Sequence, residues 1–387
     1  MLSESEKNKK AIAWLGAAHF ANDVYTGFLN PIMPFIAAKL GFTMAIATIL
    51  MAITQICSNM LQPIFGFFAD NILKRFFIFW GLLLSSIFIP LAPSATNIIN
   101  LTIFMILGCL GSSFFHPQSM GFVSFFSGKN CSNNMGTFVS LGSLGFAFGP
   151  LVAAYITQSI GLEKIIYTSI LGISLALFMF KFVPKLSVIE NKPEQKKFFK
   201  TFIETFTNRQ MQLLICISMM KSLVTNSSCI LLPFLWKSMD YSPFYIGFAL
   251  FLFVFAGSIG SFLSPKLEQK IGSKTVIAIS MLITFPMMLG FAFIYRTQPI
   301  ISLILFASIG FVTMLAQPIT LVLAQKALPQ YKSIVSGLIN GFCWGIVAFC
   351  LSFLGIVAEK FGILNVLIAL TLIPVVFSPI LKFLKIC

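Results

Sequence analysis

The sequence predicts an all-α membrane protein of twelve transmembrane helices in two pseudo-symmetric six-helix bundles. Three observations predict this class. Hydrophobic residues fill 58% of the 387 positions and charged residues only 10%, whereas a water-facing domain carries roughly a quarter charged residues. Apolar runs of roughly 20 residues, the length that crosses a bilayer as a helix, recur from end to end. Landmarks of the first half return in the second at an offset of about 200 residues.

In chain order the spans are read at 11–38, 42–69, 76–93, 97–126, 133–160 and 163–184, then at 209–236, 242–264, 274–295, 299–326, 332–358 and 362–384. Residues 1–186 form the first bundle, 187–208 a polar cytoplasmic linker containing KPEQKK, and 209–387 the second bundle. The opening MLSESEKNKK followed by an apolar run superficially resembles a signal peptide. That run carries His19 and Asp23 and continues to residue 38, whereas a cleaved apolar region ends after about 7–15 residues.

The basic residues support the count. With the N-terminus inside, only Lys39, Lys164, Lys237, Arg296 and Lys360 of the 26 Lys and Arg fall outside, and Lys221 falls within a span. The others collect on the cytoplasmic side, as the positive-inside rule requires. Both termini are then cytoplasmic. The bias toward Lys, Ile, Phe and Asn fits an AT-rich bacterial genome, and the expected location is a bacterial inner membrane. The net charge of +15 lies between apolar runs, not on a basic face with interleaved aromatics, so nucleic acid is not an expected partner.

The duplication rests on three ordered matches. GFFADNILKR after the second span (Gly66, Asp70, Lys74, Arg75) pairs with SPKLEQKIGSK after the eighth (Ser264, Glu268, Lys270, Lys274). Pro34-Phe35 pairs with Pro233-Phe234, and His116-Pro117 with Gln317-Pro318. Parallel repeats about an axis along the membrane normal are a transporter plan, with the substrate site near the midplane.

Polar residues inside the spans mark candidate chemistry. His19, Asp23, Thr26 and Asn30 share one face of the first span. An ionised Asp23 at that depth costs several kcal/mol unless it meets water or a partner. The plainer reading is a structural carboxylate paired within the bundle. Lys221, Thr225 and Ser228 share a face of the seventh span. Aligning Pro34 with Pro233 sets Lys221 opposite Asn22, so both charged residues are expected to line one central cavity. A snorkelling lysine is the alternative, although about 18 Å of helix lies between Lys221 and the span's start. His116 in the fourth span is read either as a proton carrier or as a neutral histidine beside the Pro117 kink.

Gln55, Asn59, Gln62, Gly66 and Asp70 form a stripe on the second span, read as helix contact. Gly142, Gly145, Gly149 and Pro150 in the fifth span, and Gly337, Gly341 and Gly345 in the eleventh, suit close helix packing. No P-loop, HExxH or GxSxG is present, so ATP drive and hydrolysis lack material. The eight cysteines have no CxxC or Cys/His metal spacing, and neither a metal nor another cofactor is expected.

With these residues in hand the chain resembles the major facilitator superfamily. GFFADNILKR is similar to its G-x-x-x-D-[RK]-x-G-[RK]-[RK] loop, departing at Asn71 and Leu73. GFAFGPLVA is similar to the antiporter-associated G-x-x-x-G-P-x-x-G, with Ala153 replacing the last glycine. HFANDVYTGFLNPIMP and SSFFHPQ resemble the fosmidomycin-resistance branch. The resemblance implies a proton-coupled antiporter that exports a small drug-like or anionic solute by alternating access. It assigns His19, Asp23 and His116 to proton coupling, and Asp70 to gating. Asn22, Asp23, Thr26, His116, Lys221, Thr225 and Gln317 are then the expected substrate contacts, and Gly66, Lys74, Arg75 and Glu268 complete the gating set. That branch often has Arg where Lys221 stands. Lysine keeps the charge without the bidentate fork, so the branch's substrate is not carried over. The expected partners are a small-molecule substrate, protons and the lipid bilayer around a monomer. An uptake porter for an anionic metabolite or siderophore is the alternative, and a membrane-embedded enzyme is disfavoured because the long polar loop lacks His and Cys.

Overall fold

The computed structural model describes residues 4–62, 65, 76–127, 131–183, 203, 206–328, 335 and 338–384. Gly66, Asp70, Lys74 and Arg75 of the 2–3 loop, Gly337, and most of the linker 187–208 lie outside the described residues. Among the described residues every regular element is helical. Ten stretches are long and apolar enough to cross a bilayer, and Met44–Asn59 is a shorter apolar helix. With the polar-striped first helix pair, the spans number twelve.

The first span is two helices, α1 (Glu4–Gly27) and α2 (Leu29–Leu40). The break at Phe28 has a covalent cause. Pro31 lacks the N–H that would bond the Gly27 carbonyl, and the Phe28 N–H turns to Tyr25 O at 3.0 Å. The second span begins as α3 (Met44–Asn59). Then follow α4 (Phe76–Leu91), α5 (Ile98–Ser127), α6 (Cys131–Ser159) and α7 (Ser169–Phe182), the last preceded by a 3₁₀ turn over Leu162–Thr168. The seventh and eighth spans are α8 (Arg209–Ser238) and α9 (Pro243–Ile271).

The later spans depart from the sequence reading in instructive ways. Helix α9 does not end near 264 but runs through Pro265 to Ile271, so Lys266, Glu268 and Lys270 ride on a helical extension and not in a loop. The ninth span breaks into α10 (Ser273–Leu282) and α11 (Thr284–Ile294), where Pro286 leaves the Leu282 carbonyl without its helical donor. The tenth breaks into α12 (Pro299–Met314) and α13 (Ala316–Ala327). There Pro318 frees the Met314 carbonyl, and the Ser261 hydroxyl of α9 donates to it at 3.1 Å. The eleventh span enters through a π turn, Leu338–Phe342, before α14 (Cys343–Phe361), and α15 (Ile363–Phe377) completes the twelfth. Gly341 sits in the π turn and Gly345 in α14. The four-residue spacing between them therefore crosses a change of helical pitch and does not mark one straight seam.

The contacts divide the chain into two compact units, Met1–Phe42 with Ile53–Lys192 and Lys237–Phe251, and Thr43–Ala52 with Pro193–Trp236 and Leu252–Cys387. In the first, α1 lies on α6 and α4 on α5. Glycine makes both approaches possible. A Cβ on Gly145 would meet Phe20 O, one on Gly149 would meet Val24 O, and one on Gly81 would meet Gly111 O across the α4–α5 contact. Leu15, Ala18, Ile78, Leu82, Phe115, Phe122 and Met179 fill the core between these helices. The Gln118 amide oxygen accepts the Ile78 N–H at 2.9 Å, which satisfies a first-turn donor of α4.

In the second unit Leu214, Ile217, Ile277, Met281, Leu315, Ile319 and Ile339 form the core. The outward faces of both units carry exposed large side chains such as Leu171, Phe262, Phe293 and Ile300. This is the inverse of a soluble surface and suits lipid as solvent. One device recurs at repeat-related places. In the second unit Glu359 Oε1 accepts the Ala45 N–H at the start of α3 at 2.7 Å. In the first, Gln158 Oε1 accepts the Phe244 N–H at the start of α9 at 3.1 Å.

Candidate functional site

The site of the first unit is built on α1. His19 and Asp23 are one helical turn apart, so their side chains meet on the face turned toward α5 and α6. His19 Nε2 stands 3.3 Å from Asp23 Oδ2, and His116 Nε2, from α5, stands 3.4 Å from Asp23 Oδ1. The two rings meet edge to face at 5.0 Å between centroids. His19 is also stacked on Phe138 of α6 at 4.1 Å. Asn22 braces the carboxylate from the side. Its Nδ2 donates to Asp23 Oδ1 at 3.0 Å and lies 3.4 Å from Ser112 Oγ, while Ser85 Oγ lies 2.9 Å from its Oδ1. One asparagine thus ties α1 to α4 and α5 and aims Asp23. Gly142 of α6 supplies the room, since a Cβ there would run into the His19 ring and Asp23 Oδ2.

The hydrogen bonds fix the proton inventory. His19 Nδ1 is 2.8 Å from the Phe138 carbonyl oxygen. A carbonyl only accepts, so Nδ1 carries the hydrogen, and in a neutral ring Nε2 is a bare lone pair. That lone pair faces a carboxylate oxygen. Two acceptors at this distance repel, so the geometry suits a proton shared between His19 and Asp23. His116 meets the other carboxylate oxygen, and it and Asp23 are each 15% exposed, against 5% for His19. The three ligand atoms lie within 4.8 Å of one another, close enough to share a proton or to surround one small cation.

Other residues singled out in the first span do less. The Thr26 hydroxyl donates to the Asp23 backbone carbonyl at 3.0 Å and does not meet the carboxylate. Asn30 is buried and its Oδ1 has no hydrogen-bond partner. In the second span the Asn59 amide bonds Gln55 within its own helix, and Gln62 bonds Ser58 O. Among the described residues the hydrogen bonds of that stripe are intrahelical.

The second unit has its own polar recess. Lys221, Thr225 and Gln317 come together there with Ser218, Ser222, Thr313, Thr320, Met314 and Trp344. Lys221 is 7% exposed, and among the described residues it has no ion-pair or hydrogen-bond partner. Ser228, on the same predicted face, is not part of the recess, and its hydroxyl donates to Val224 O at 2.8 Å. Ser218 and Ser222 flank Lys221 in its place. Glu268 accepts from Ser273 Oγ at 2.5 Å, beside the end of α9. The contributions of Ser85, Ser112, Ser222 and Trp344 went unread in the sequence. Ser85, Ser112 and Trp344 reach their sites from distant spans, and a serine or tryptophan in an apolar run carries no local signal.

Twelve spans with a largely buried carboxylate–imidazole trio in one unit and a buried lysine in the other define a polytopic membrane transporter and not an enzyme. The family model of the Major Facilitator Superfamily matches residues 15–352, and the chain belongs to that superfamily. It is 25% identical over 373 residues to the uncharacterized MFS-type transporter YfnC of Bacillus subtilis (strain 168), covering 93% of this chain and 89% of that one. It is 24% identical over 371 residues to the fosmidomycin resistance protein of Escherichia coli (strain K12), covering 93% and 90%. Among solved structures the fold is similar to that of the nucleoside transporter NupG, with a TM-score of 0.77 at 15% identity over 97% of this chain and 100% of that one. It is also similar to a peptide transporter POT in complex with alafosfalin, with a TM-score of 0.73 at 16% identity over all of both chains.

Proposed function

We propose that the protein is a proton-coupled antiporter of the inner membrane that exports a small anionic or drug-like solute by alternating access. The observation that carries this reading is the His19–Asp23–His116 trio. A half-buried carboxylate held between two imidazoles, one of them fixed as a Nδ1–H tautomer by Phe138 O, is a store for one proton that is more open at His116 than at His19. Buried ionisable groups of this kind in spans are the usual parts of proton relays. The similarity to a fosmidomycin resistance protein supports export of a drug-like compound, and the Gly149-Pro150 pair of the fifth span favours export over uptake.

Coupling works through the balance of charge. A proton that enters at His116 and settles on the His19–Asp23 pair leaves the trio with no net charge and relaxes its demand for a polar surrounding. Its release leaves the carboxylate ionised between two neutral imidazoles, with a net charge of −1. If the proton-loaded and proton-free forms favour opposite openings of the transporter, the pH gradient drives the cycle. Wild-type protein in everted vesicles is expected to accumulate solute against its gradient when the lumen is acid. Asp23→Asn is expected to abolish this uphill movement while leaving downhill exchange of solute in place. Uphill accumulation at the wild-type rate by Asp23→Asn would reject the coupling role.

A further inference from the structure

We infer that the Lys221 recess of the second unit is an oxyanion-binding site, and that the cargo presents a carboxylate, phosphonate or sulfonate there beside a flat apolar group. The inference rests on the transport reading only in taking the ligand to be cargo. Its basis is an inventory of donors. Lys221 brings a buried ammonium with three N–H donors and no partner among the described residues. Around it Ser222 and Thr225 from α8, Gln317 from α13 and Trp344 from α14 line the same space. Among the described residues the side chains of these four make no hydrogen bond, so two hydroxyls, an amide and an indole N–H are free to donate.

The remaining hydroxyls already have acceptors. Ser218 donates to Ile339 O at 3.1 Å, Thr313 to Ile309 O at 2.9 Å and Thr320 to Gln317 O at 2.9 Å. Among the described residues no carboxylate lines the recess. A surplus of uncommitted donors around a buried lysine amine is complementary to a group with several acceptor oxygens and a negative charge, whose arrival would favour the protonated amine. A cation would meet repulsion from Lys221, and a neutral apolar solute would leave the ammonium unpaired. The recess is narrow in this conformation, with a cavity volume of about 20 Å³, so an anionic group enters it as the surrounding helices part. Trp344 and Met314 supply its apolar wall, which suits an aromatic or similarly flat group attached to the anion.

The test is binding to the purified full-length protein in detergent, read as thermal stabilisation at fixed pH and ionic strength. The probes are benzoate, phenylphosphonate and benzenesulfonate against the neutral benzamide, with acetate and inorganic phosphate as anions lacking the ring. At least one aromatic oxyanion is expected to bind at least tenfold more tightly than benzamide and than its ring-free counterpart. Lys221→Met is expected to erase the preference for the anion, and Lys221→Arg to keep it. Ligand-free Lys221→Met is expected to melt at or above the wild-type temperature, since a buried unpaired charge has been removed, and this checks that the variant folds. Oxyanions binding no better than benzamide, or a preference that survives in Lys221→Met, would overturn the assignment. Asp23→Asn separates the two readings. It is expected to keep the oxyanion preference while losing uphill transport; absence of the preference in a wild type whose uphill transport Asp23→Asn abolishes rejects only the recess, and a kept preference with uphill transport intact in Asp23→Asn rejects only the proton trio.

Discussion

At the residue scale the account turns on Asp23 and on the small residue opposite it. Gly142 leaves no room for another atom, because a Cβ there would overlap the His19 ring and Asp23 Oδ2. Gly142→Ala is therefore expected to push His19 off the carboxylate, costing about 1–3 kcal/mol of stability by overpacking. Concentrative transport should fall at least tenfold, as measured in everted vesicles. Ser85→Ala is the milder neighbour. It removes a hydroxyl from Asn22 Oδ1, and single polar contacts within membranes average about 0.6 kcal/mol. Its melting temperature should barely move while the pH profile of transport shifts, because Asn22 aims the carboxylate. An unchanged pH profile would remove Asn22 from the account of how Asp23 is held. At this scale much was legible in the sequence. The spacing of His19 and Asp23 fixes their contact through helix geometry alone, and the depth of Lys221 marks it as buried or snorkelling. That His116 closes on Asp23 from another span is a tertiary fact, suggested only by resemblance. The bond from His19 Nδ1 to Phe138 O involves a backbone atom that no side-chain motif reports.

At the element scale prolines and glycines set the shape of the helices. The tenth span is bent where Pro318 withholds a donor from Met314 O, and Ser261 and Ser264 of α9 supply hydroxyls to Met314 O and Leu315 O. Ser261→Ala is expected to leave an unsatisfied carbonyl in an apolar surrounding and to lower the melting temperature. The double change with Pro318→Ala should recover part of that loss, because the helix can then bond its own carbonyl. Additive losses in the pair would break the link between proline and serine. The sequence supplied the prolines and the repeat that pairs Pro117 with Pro318. It gave no sign that α5 runs unbroken through Pro117 while the tenth span divides at Leu315. The outcome depends on whether a neighbouring helix offers a donor to the freed carbonyl. The paired caps at the starts of α3 and α9 belong to the same scale. Glu359→Gln keeps an acceptor for the Ala45 N–H and should transport normally, whereas Glu359→Ala removes the cap and should slow exchange. Equal rates for the two would assign the contact no part in the cycle.

At the scale of the whole molecule, the two units each hold one chemically distinct group, an acid between imidazoles in the first and, in the second, a buried amine without a partner among the described residues. The span count could be read from hydropathy and repeat matching, properties of composition and order, and the superfamily from the resemblance of short motifs such as GFFADNILKR and GFAFGPLVA. The ends of α9 and the π turn of the eleventh span could not, because they depend on packing and not on local hydropathy. The division of labour between proton store and anion recess is the central claim. Respiring everted vesicles with an acid lumen, followed with a pH-sensitive dye while the panel of aromatic oxyanions is added, test it most directly. The account predicts that at least one oxyanion dissipates the pH gradient in wild-type vesicles and that Asp23→Asn vesicles hold the gradient against the same compound. A gradient untouched by every compound in the wild type, or dissipated equally by Asp23→Asn, would contradict it.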